Sequence, residues 1–167
     1  NALSEWGPKA LDKFNGMFAL ALWDRKERTL FLARDRYGVK PLYYSQQGNT
    51  FAFGSEQKAI LSMTDFQRKI DKSALIEYFT FQNIFTNRTL VEDVKMFPAG
   101  HYAILDLKNT KSSLKFTEYW DYDFCEPTEY INNQEYEEEL NRLFQQAVSR
   151  QLVSDVELGS YLSGGMD

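Results

Sequence analysis

Two apolar runs separated by a short polar turn constrain the fold of this chain more than any other feature of its sequence. The first run, residues 17–23, is almost wholly apolar, and the second, residues 29–33, follows after five polar residues. Short runs of this kind around a polar turn predict a β-hairpin. Because the first run shows no alternation of polar and apolar residues, we expect this strand to be covered on both faces. The hairpin therefore predicts a layered fold.

Further short elements are predicted along the first 125 residues. Strands are indicated by apolar segments next to turn residues: 42–44, 50–53, 101–107 and 113–120. Helices are indicated by a proline or by capping residues: 7–14 with Pro8 in the first turn, a helix up to residue 63 capped by Ser55, and a third capped by Asp71 or Ser73. In the third helix we expect Leu75, Ile76 and Phe79 to be buried. This pattern suits sheets packed into a layered core.

The amino-acid composition of the chain changes at Asp121. Residues 121–139 contain eight acidic residues and no basic residue, with Pro127 among them. This composition predicts a linker between two domains at residues 124–131. The clearest helix follows at residues 133–152, where apolar side chains recur every three or four positions. Residues 156–162 predict a strand. A helix, a strand and a glycine-containing loop, in this order, are typical of the start of an α/β nucleotide-binding unit.

Composition excludes several classes of function. There are 19 basic and 24 acidic residues, a net charge of −5, which argues against a nucleic-acid-binding domain. The longest uncharged run, residues 41–55, has fifteen residues and is too short to span a bilayer. One cysteine and one histidine exclude an internal disulfide framework, a cysteine-based zinc site and a multi-histidine metal centre within this chain. We therefore expect a cytoplasmic protein without nucleic-acid or membrane partners.

The sequence Ser163-Gly-Gly-Met-Asp167, after the last predicted strand, is the strongest local signal for chemistry. Backbone N–H groups of two glycines can approach an anion closely, and a serine hydroxyl can donate to a phosphate. The carboxylate of Asp167 is a suitable ligand for Mg²⁺. It is not a Walker loop, because no lysine follows the glycines. An ordinary Gly-Gly turn is the alternative.

Several strings in this chain resemble, in order, the glutaminase domain of glutamine-dependent asparagine synthetases, members of the class II glutamine amidotransferase family. They are FNGMFALALWD at 14–24, LARDRYGVKPLYY at 32–44, FGSE at 53–56, FPAGH at 97–101 and YWD at 119–121. The final string, YLSGGMD at 161–167, resembles the pyrophosphate loop of the same family. The resemblance covers nearly the whole chain.

The resemblance implies an α+β fold with two parts. Residues 1–125 correspond to the second half of an Ntn-hydrolase-type antiparallel sheet sandwich, the C-terminal half of the glutaminase domain. Residues 126–132 would be a linker, and residues 133–167 the first helix and strand of an α/β ATP-pyrophosphatase domain. The chain is therefore expected to be an internal fragment without a complete active site. The parent enzyme would hydrolyse glutamine to ammonia and amidate aspartate through an aspartyl-adenylate, using ATP and Mg²⁺.

The resemblance also assigns site residues. The positions implied for ATP and pyrophosphate binding are Tyr161, Leu162, Ser163, Gly164, Gly165 and Asp167, with Asp167 also implied as a Mg²⁺ ligand. Arg34, Asp35 and Glu56 match positions that face the boundary between the domains in the family. No catalytic residue is assigned, because the family's nucleophile is an N-terminal cysteine and its glutamine-binding residues lie in the first half of that domain.

Three alternatives stay open from the sequence. A sugar-modifying amidotransferase and a β-lactam-forming synthetase share these motifs, and the chain could also be a non-catalytic scaffold or interaction module. The acceptor substrate and the oligomeric state are likewise open, with a homodimer as one option.

Overall fold

The computed structural model describes residues 1–63, 66–108, 114–125 and 132–165, which fall into two compact units, Asn1–Tyr122 and Asp123–Asp167. The strands are β1 Ala19–Asp24, β2 Thr29–Arg34, β3 Tyr43–Gln47, β4 Thr50–Gly54, β5 Val94–Met96, β6 His101–Asp106 and β7 Lys115–Glu118. The α-helices are α1 Ala2–Trp6, α2 Gln57–Leu61, α3 Lys72–Phe81 and α4 Asn133–Gln151, and a 3₁₀ helix spans Gly7–Lys13. No helix in the described ranges is long and apolar enough to cross a membrane.

The first unit combines two antiparallel sheets with the helices α1, α2 and α3. The predicted α+β class is therefore confirmed. One sheet has the order β1-β2-β6-β7, and the other has the order β4-β3-β5. Both predicted hairpins are confirmed: β1 pairs with β2, and β3 pairs with β4 around a turn at Gly48. The first turn comprises residues 25–28, one fewer than the sequence indicated.

The two sheets share one apolar core. Buried residues from β2 and β6 pack together with residues that flank β3 and β5: Leu30, Leu32, Leu42, Phe97, Ala103 and Leu105. Phe97 is fully buried, and its ring centroid lies 6.1 Å from that of Tyr44 and 5.1 Å from that of Phe116. Because Tyr44 belongs to β3 and Phe116 to β7, the Phe97 ring joins the two sheets.

The expectation that the first strand is covered on both faces is wrong for the described residues. Leu22 and Trp23 in β1 each keep 44% of their surface exposed. The physical reason is that β1 is an edge strand of its sheet, and none of the described elements packs over Leu22 and Trp23.

Three helix predictions also need correction. Residues 7–14 form mainly a 3₁₀ helix rather than an α-helix, with Pro8 at its start. Helix α2 begins after Glu56 rather than Ser55, without a side-chain cap hydrogen bond. In α3, Ile76 and Phe79 are 67% and 76% exposed, because no described element packs on that side of the helix and only Ala74 is buried.

The N-cap of α3 is confirmed at Asp71. Its carboxylate accepts hydrogen bonds from the backbone N–H of Ser73 at 2.9 Å and of Ala74 at 3.0 Å. These two bonds satisfy N–H groups that have no partner inside the helix.

The second unit contains the predicted long helix but not the predicted strand. Helix α4 ends one residue before the expected position, and the Asn132 side chain caps it by accepting from the N–H of Glu135 at 2.9 Å. Residues 156–162 form no strand, because a strand requires a hydrogen-bonded neighbour and none of the described residues pairs with this segment. Most of the predicted linker, residues 126–131, lies outside the described residues.

Candidate functional site

The turn that follows β2 is organised around the buried carboxylate of Asp35, which is only 2% exposed. This carboxylate accepts four backbone N–H hydrogen bonds: from Phe18 at 3.2 Å, Tyr37 at 3.1 Å, Val39 at 3.0 Å and Lys40 at 3.0 Å. Hydrogen bonds to a charged acceptor are stronger than neutral ones. Asp35 therefore fixes the path of the whole turn and ties it to the segment that precedes β1.

The guanidinium of the neighbouring residue, Arg34, stabilises the same turn through hydrogen bonds to backbone carbonyl oxygens. It donates to the carbonyl oxygens of Lys40 at 2.8 Å, Phe97 at 2.7 Å and Gly38 at 2.6 Å. Burial lowers the pKa of Arg34, and the Asp35 carboxylate opposes that shift. Gly38 has a φ of 64°, and a Cβ there would lie 2.9 Å from the Arg34 guanidinium carbon. Glycine at this position therefore allows the guanidinium to reach its three acceptors.

Gly100 connects this turn to the last strand of the first unit. Its N–H donates to the backbone oxygen of Asp35 at 3.0 Å, and its carbonyl accepts from the N–H groups of Tyr119 at 2.9 Å and Trp120 at 3.2 Å. Its φ is 65°, and a Cβ there would collide with the Trp120 carbonyl oxygen. The Tyr119 hydroxyl donates to the Arg34 backbone oxygen at 2.9 Å.

The Tyr119 hydroxyl should make stability sensitive to alkaline pH. Burial, together with the Asp35 charge, raises the pKa of Tyr119 to about 12 from its ordinary value of 10.0. Between these two pH values the unfolded state has lost the phenolic proton while the folded state keeps it, so the free energy of unfolding should fall as pH rises. Denaturant unfolding across pH 9–12 should show a shallower fall for Tyr119→Phe than for wild type. Equal slopes for the two proteins would contradict the prediction.

The third residue assigned to the domain boundary, Glu56, has a different environment. Its carboxylate is exposed and forms an ion pair with Lys58 at 2.7 Å. The structure thus brings Arg34 and Asp35 together as buried anchors of one turn, whereas Glu56 is engaged at the start of α2.

The described part of the candidate phosphate loop forms an open turn. Tyr161 and Leu162 are fully exposed, and the hydroxyl oxygen of Ser163 accepts a hydrogen bond from the N–H of Gly165 at 3.2 Å. Gly164 has a φ of 76° and open space around its Cβ position. These small residues leave the backbone accessible to a ligand. The proposed metal ligand Asp167 lies outside the described residues, and within the described ranges no three His, Cys, Asp or Glu side chains are placed to hold a metal ion.

Comparison with protein families separates the two parts of the chain. Residues 1–120 match the model of the glutamine amidotransferase domain. The chain belongs to the glutamine amidotransferase domain family. Residues 139–167 match a second family model, asparagine synthase.

Curated relatives cover both parts. Asparagine synthetase [glutamine-hydrolyzing] 3 of Bacillus subtilis is 39% identical over 164 residues, which is 98% of this chain and 26% of the relative. A putative asparagine synthetase [glutamine-hydrolyzing] 2 of Methanocaldococcus jannaschii is 34% identical over 96% of this chain and 31% of its own length. A putative asparagine synthetase [glutamine-hydrolyzing] of Mycobacterium tuberculosis is 32% identical over 97% of this chain and 25% of its own length. The chain thus spans about a quarter to a third of these relatives.

Within the amidotransferase domain, sequence reasoning missed the residues that complete the Asp35 turn. In the sequence, Gly100, Tyr119 and Trp120 stand out only as members of the strings at 97–101 and 119–121. A glycine after Pro98-Ala99 was a signal for a turn with positive φ. No local pattern linked Gly100 or Tyr119 to Asp35, because these residues are far apart in the sequence.

Proposed function

We propose that this chain is part of an ATP-dependent, glutamine-hydrolysing asparagine synthetase. The observation that carries the proposal is the order of two family matches in one chain, an amidotransferase domain at 1–120 followed by asparagine synthase at 139–167. A glutaminase alone would not require the second match, and an ammonia-dependent synthetase would not require the first. The activity belongs to the full-length protein that contains this chain.

The proposed reaction joins two chemical steps. In the first, net hydrolysis of the glutamine side-chain amide breaks its C–N bond and gives glutamate and ammonia. In the second, a carboxylate oxygen of aspartate attacks the α-phosphorus of ATP and pyrophosphate leaves. Ammonia then attacks the acyl carbon of the adenylate, AMP leaves, and asparagine is formed.

We expect the turn at Ser163, Gly164 and Gly165 to bind the pyrophosphate part of ATP, and Tyr161 and Leu162 to lie beside the nucleotide. The proposal is supported by the exposed backbone of this turn and by the φ of 76° at Gly164. Mg²⁺ would neutralise phosphate charge when bound, with Asp167 as one ligand. Backbone N–H groups aimed at the departing pyrophosphate would stabilise the charge that develops on it.

We also propose the domain division 1–125, 126–132 and 133–167, with the first part being the second half of an Ntn-type glutaminase domain. The division is supported by the acidic composition around Pro127 and by the two compact units of the structure. A cytoplasmic location is part of the same proposal.

The proposed linker should be the first site of limited proteolysis. Chymotrypsin should cut the full-length protein after Tyr130 before it cuts after Phe31, because Phe31 lies in a strand paired on both sides whereas Tyr130 lies in the predicted boundary. Mass spectrometry of early fragments would locate both cuts. Early cleavage after Phe31, with the bond after Tyr130 intact, would contradict the proposed division.

The identity of the acceptor tests the proposed function. The full-length protein should consume aspartate with ATP and free ammonia, and form asparagine, AMP and pyrophosphate in equal amounts. Amino-sugar formation from a sugar phosphate, β-lactam formation from a suitable amino acid, or no ATP-dependent reaction with any acceptor would each overturn the assignment to asparagine synthesis.

A further inference from the structure

An open cavity of about 1090 Å³ lies at the start of α3 and beside β5. It is lined by residues 69–73, 86–88 and 92–95, together with Tyr44 from β3. All of these residues belong to the first compact unit. The volume is at the upper end of the range for small-molecule sites. The cavity is therefore large enough for a ligand of that size.

Backbone hydrogen bonds hold the segments around the cavity together. The N–H of Asp71 donates to the carbonyl of Leu90 at 3.0 Å, and the N–H of Glu92 donates to the carbonyl of Lys69 at 2.8 Å. Val94, which also lines the cavity, is only 1% exposed. Because these contacts are made within the protein, the cavity is largely pre-formed, which lowers the entropic cost of binding a ligand.

The lining carries more basic than acidic side chains, although the net charge of the chain is −5. The basic side chains are Lys69, Lys72, Arg88 and Lys95. The acidic side chains are Asp71, Glu92 and Asp93. A concave surface with an excess of positive charge attracts anions.

Two of the three carboxylates already have partners. Asp71 accepts two N–H groups at the start of α3 and lies 3.5 Å from Nη1 of Arg88. Asp93 accepts from the side-chain amide of Gln47 at 3.2 Å. The lysines of the lining, by contrast, form no ion pair with any residue of the described ranges: Lys69, Lys72 and Lys95. Three ammonium groups are thus available to an anion.

Arg88 and Lys95 lie opposite each other in an antiparallel bridge. Like charges that are directly opposite destabilise such a pair. Asp71 offsets part of the charge of Arg88, whereas Lys95 has no ion-pair partner in the described part of the chain. An anion bound between these two cations would be attracted to both and would offset their repulsion. The opposed pair is therefore a second, independent indication of an anionic ligand.

The side chains of the lining favour phosphate over carboxylate. Lysine binds phosphate as a compact point charge, whereas bidentate recognition of a carboxylate requires a free arginine. Arg88 already faces Asp71, and three free ammonium groups suit a dianion better than a monoanion. Tyr44 and Ile70 line the same cavity and offer apolar surface to an organic group.

We propose that this cavity binds a small organic molecule that carries a dianionic phosphate group, with Lys69, Lys72 and Lys95 as the residues that bind the phosphate. The inference does not rest on the proposed reaction, because every group that it uses lies in the first unit and the test measures binding. Since the ligand binds only the folded protein, it also raises the unfolding temperature.

The test is a calorimetric titration of the full-length protein at about pH 7.5, where a phosphate monoester is mostly dianionic. Phenyl phosphate should show saturable binding and raise the unfolding temperature. Inorganic phosphate should bind more weakly because it lacks the organic group, and benzoate should bind more weakly because it carries a single charge.

Charge substitutions should change the affinity for phenyl phosphate in opposite directions. Lys69→Gln and Lys95→Gln should each weaken binding by about two- to fivefold, the effect of one partly exposed charge. Glu92→Gln should strengthen binding by about twofold, because the Glu92 carboxylate lines the cavity without an ion-pair partner in the described ranges. All three side chains are exposed, so the unfolding temperature without ligand should stay at the wild-type value.

Two controls locate the binding site. Lys115→Gln removes an exposed lysine of β7 that does not line the cavity, and it should leave the affinity unchanged. Gly164→Ala alters the proposed pyrophosphate-binding turn, and it should also leave the binding of phenyl phosphate in the cavity unchanged.

The absence of saturable binding of phenyl phosphate would overturn the inference, as would equal effects of Lys115→Gln and Lys95→Gln. Binding that Gly164→Ala removes and the lysine variants of the cavity leave unchanged would belong to residues 163–165 and would also overturn it. Affinities for inorganic phosphate or benzoate that equal the affinity for phenyl phosphate would contradict the proposed class of ligand.

Discussion

Gly164→Ala and Asp167→Asn, made in the full-length protein, are expected to lower asparagine formation by roughly ten- to a thousandfold. The loss should be the same with glutamine or with free ammonia as nitrogen source. Gly164 has a φ of 76°, a conformation that alanine adopts only with strain. Asp167→Asn removes the charge that we propose to hold Mg²⁺. Because charge develops on the departing pyrophosphate, both changes should affect kcat more than the KM for ATP.

The control for the glycine substitution is Gly159→Ala. Gly159 lies five residues earlier, has open space around its Cβ position and has no positive φ. Alanine should be tolerated there with near wild-type synthesis, and glutaminase turnover should be largely spared in all three variants. Near wild-type synthesis from ammonia by both Gly164→Ala and Asp167→Asn would mean that residues 163–167 form only a turn.

Asp35→Ala is expected to lower the free energy of unfolding by about 3–5 kcal/mol. The substitution leaves four backbone N–H groups, those of Phe18, Tyr37, Val39 and Lys40, without their acceptor. It also leaves the buried guanidinium of Arg34 without its neighbouring negative charge. Chemical denaturation at neutral pH measures this effect directly.

Asp24→Ala is a matched control for the Asp35 substitution. The Asp24 carboxylate also accepts two backbone N–H groups, those of Lys26 at 2.8 Å and Glu27 at 2.9 Å, but in an exposed turn. Water can replace these bonds, so we expect a loss of only about 1 kcal/mol. Equal effects of the two substitutions would contradict the anchoring role of Asp35.

Elements specified by local sequence were predicted well. The two hairpins, the cap at Asp71 and the helix after residue 132 follow from turn residues, capping side chains and apolar spacing, all of which act within a few residues. Burial was predicted poorly. The spacing of Ile76 and Phe79 predicts an apolar face, but burial depends on which other element packs there. The predicted strand at 156–162 failed for the same reason, since a strand requires a partner that local sequence does not reveal.

The candidate site, like the fold, could be predicted from the sequence only in part. The resemblance selected Arg34, Asp35 and Glu56 and placed them at the domain boundary, which stays a prediction. The role of Arg34 and Asp35 as buried anchors was not predictable, because the N–H of Phe18 and the hydroxyl of Tyr119 reach them only after the sheet has formed. The packing of the Tyr37 ring on Trp120 was not predictable for the same reason, since these residues lie on segments far apart in the sequence.

The transfer of amide nitrogen from glutamine to aspartate tests the central claim most directly. The full-length protein should be incubated with glutamine labelled with ¹⁵N in its side-chain amide, together with aspartate and ATP, and the products analysed by mass spectrometry. We predict ¹⁵N in the side-chain amide of newly formed asparagine, with one AMP and one pyrophosphate formed for each asparagine. Labelled ammonia without labelled asparagine, or label in a different acceptor, would contradict the assignment of this chain to a glutamine-hydrolysing asparagine synthetase.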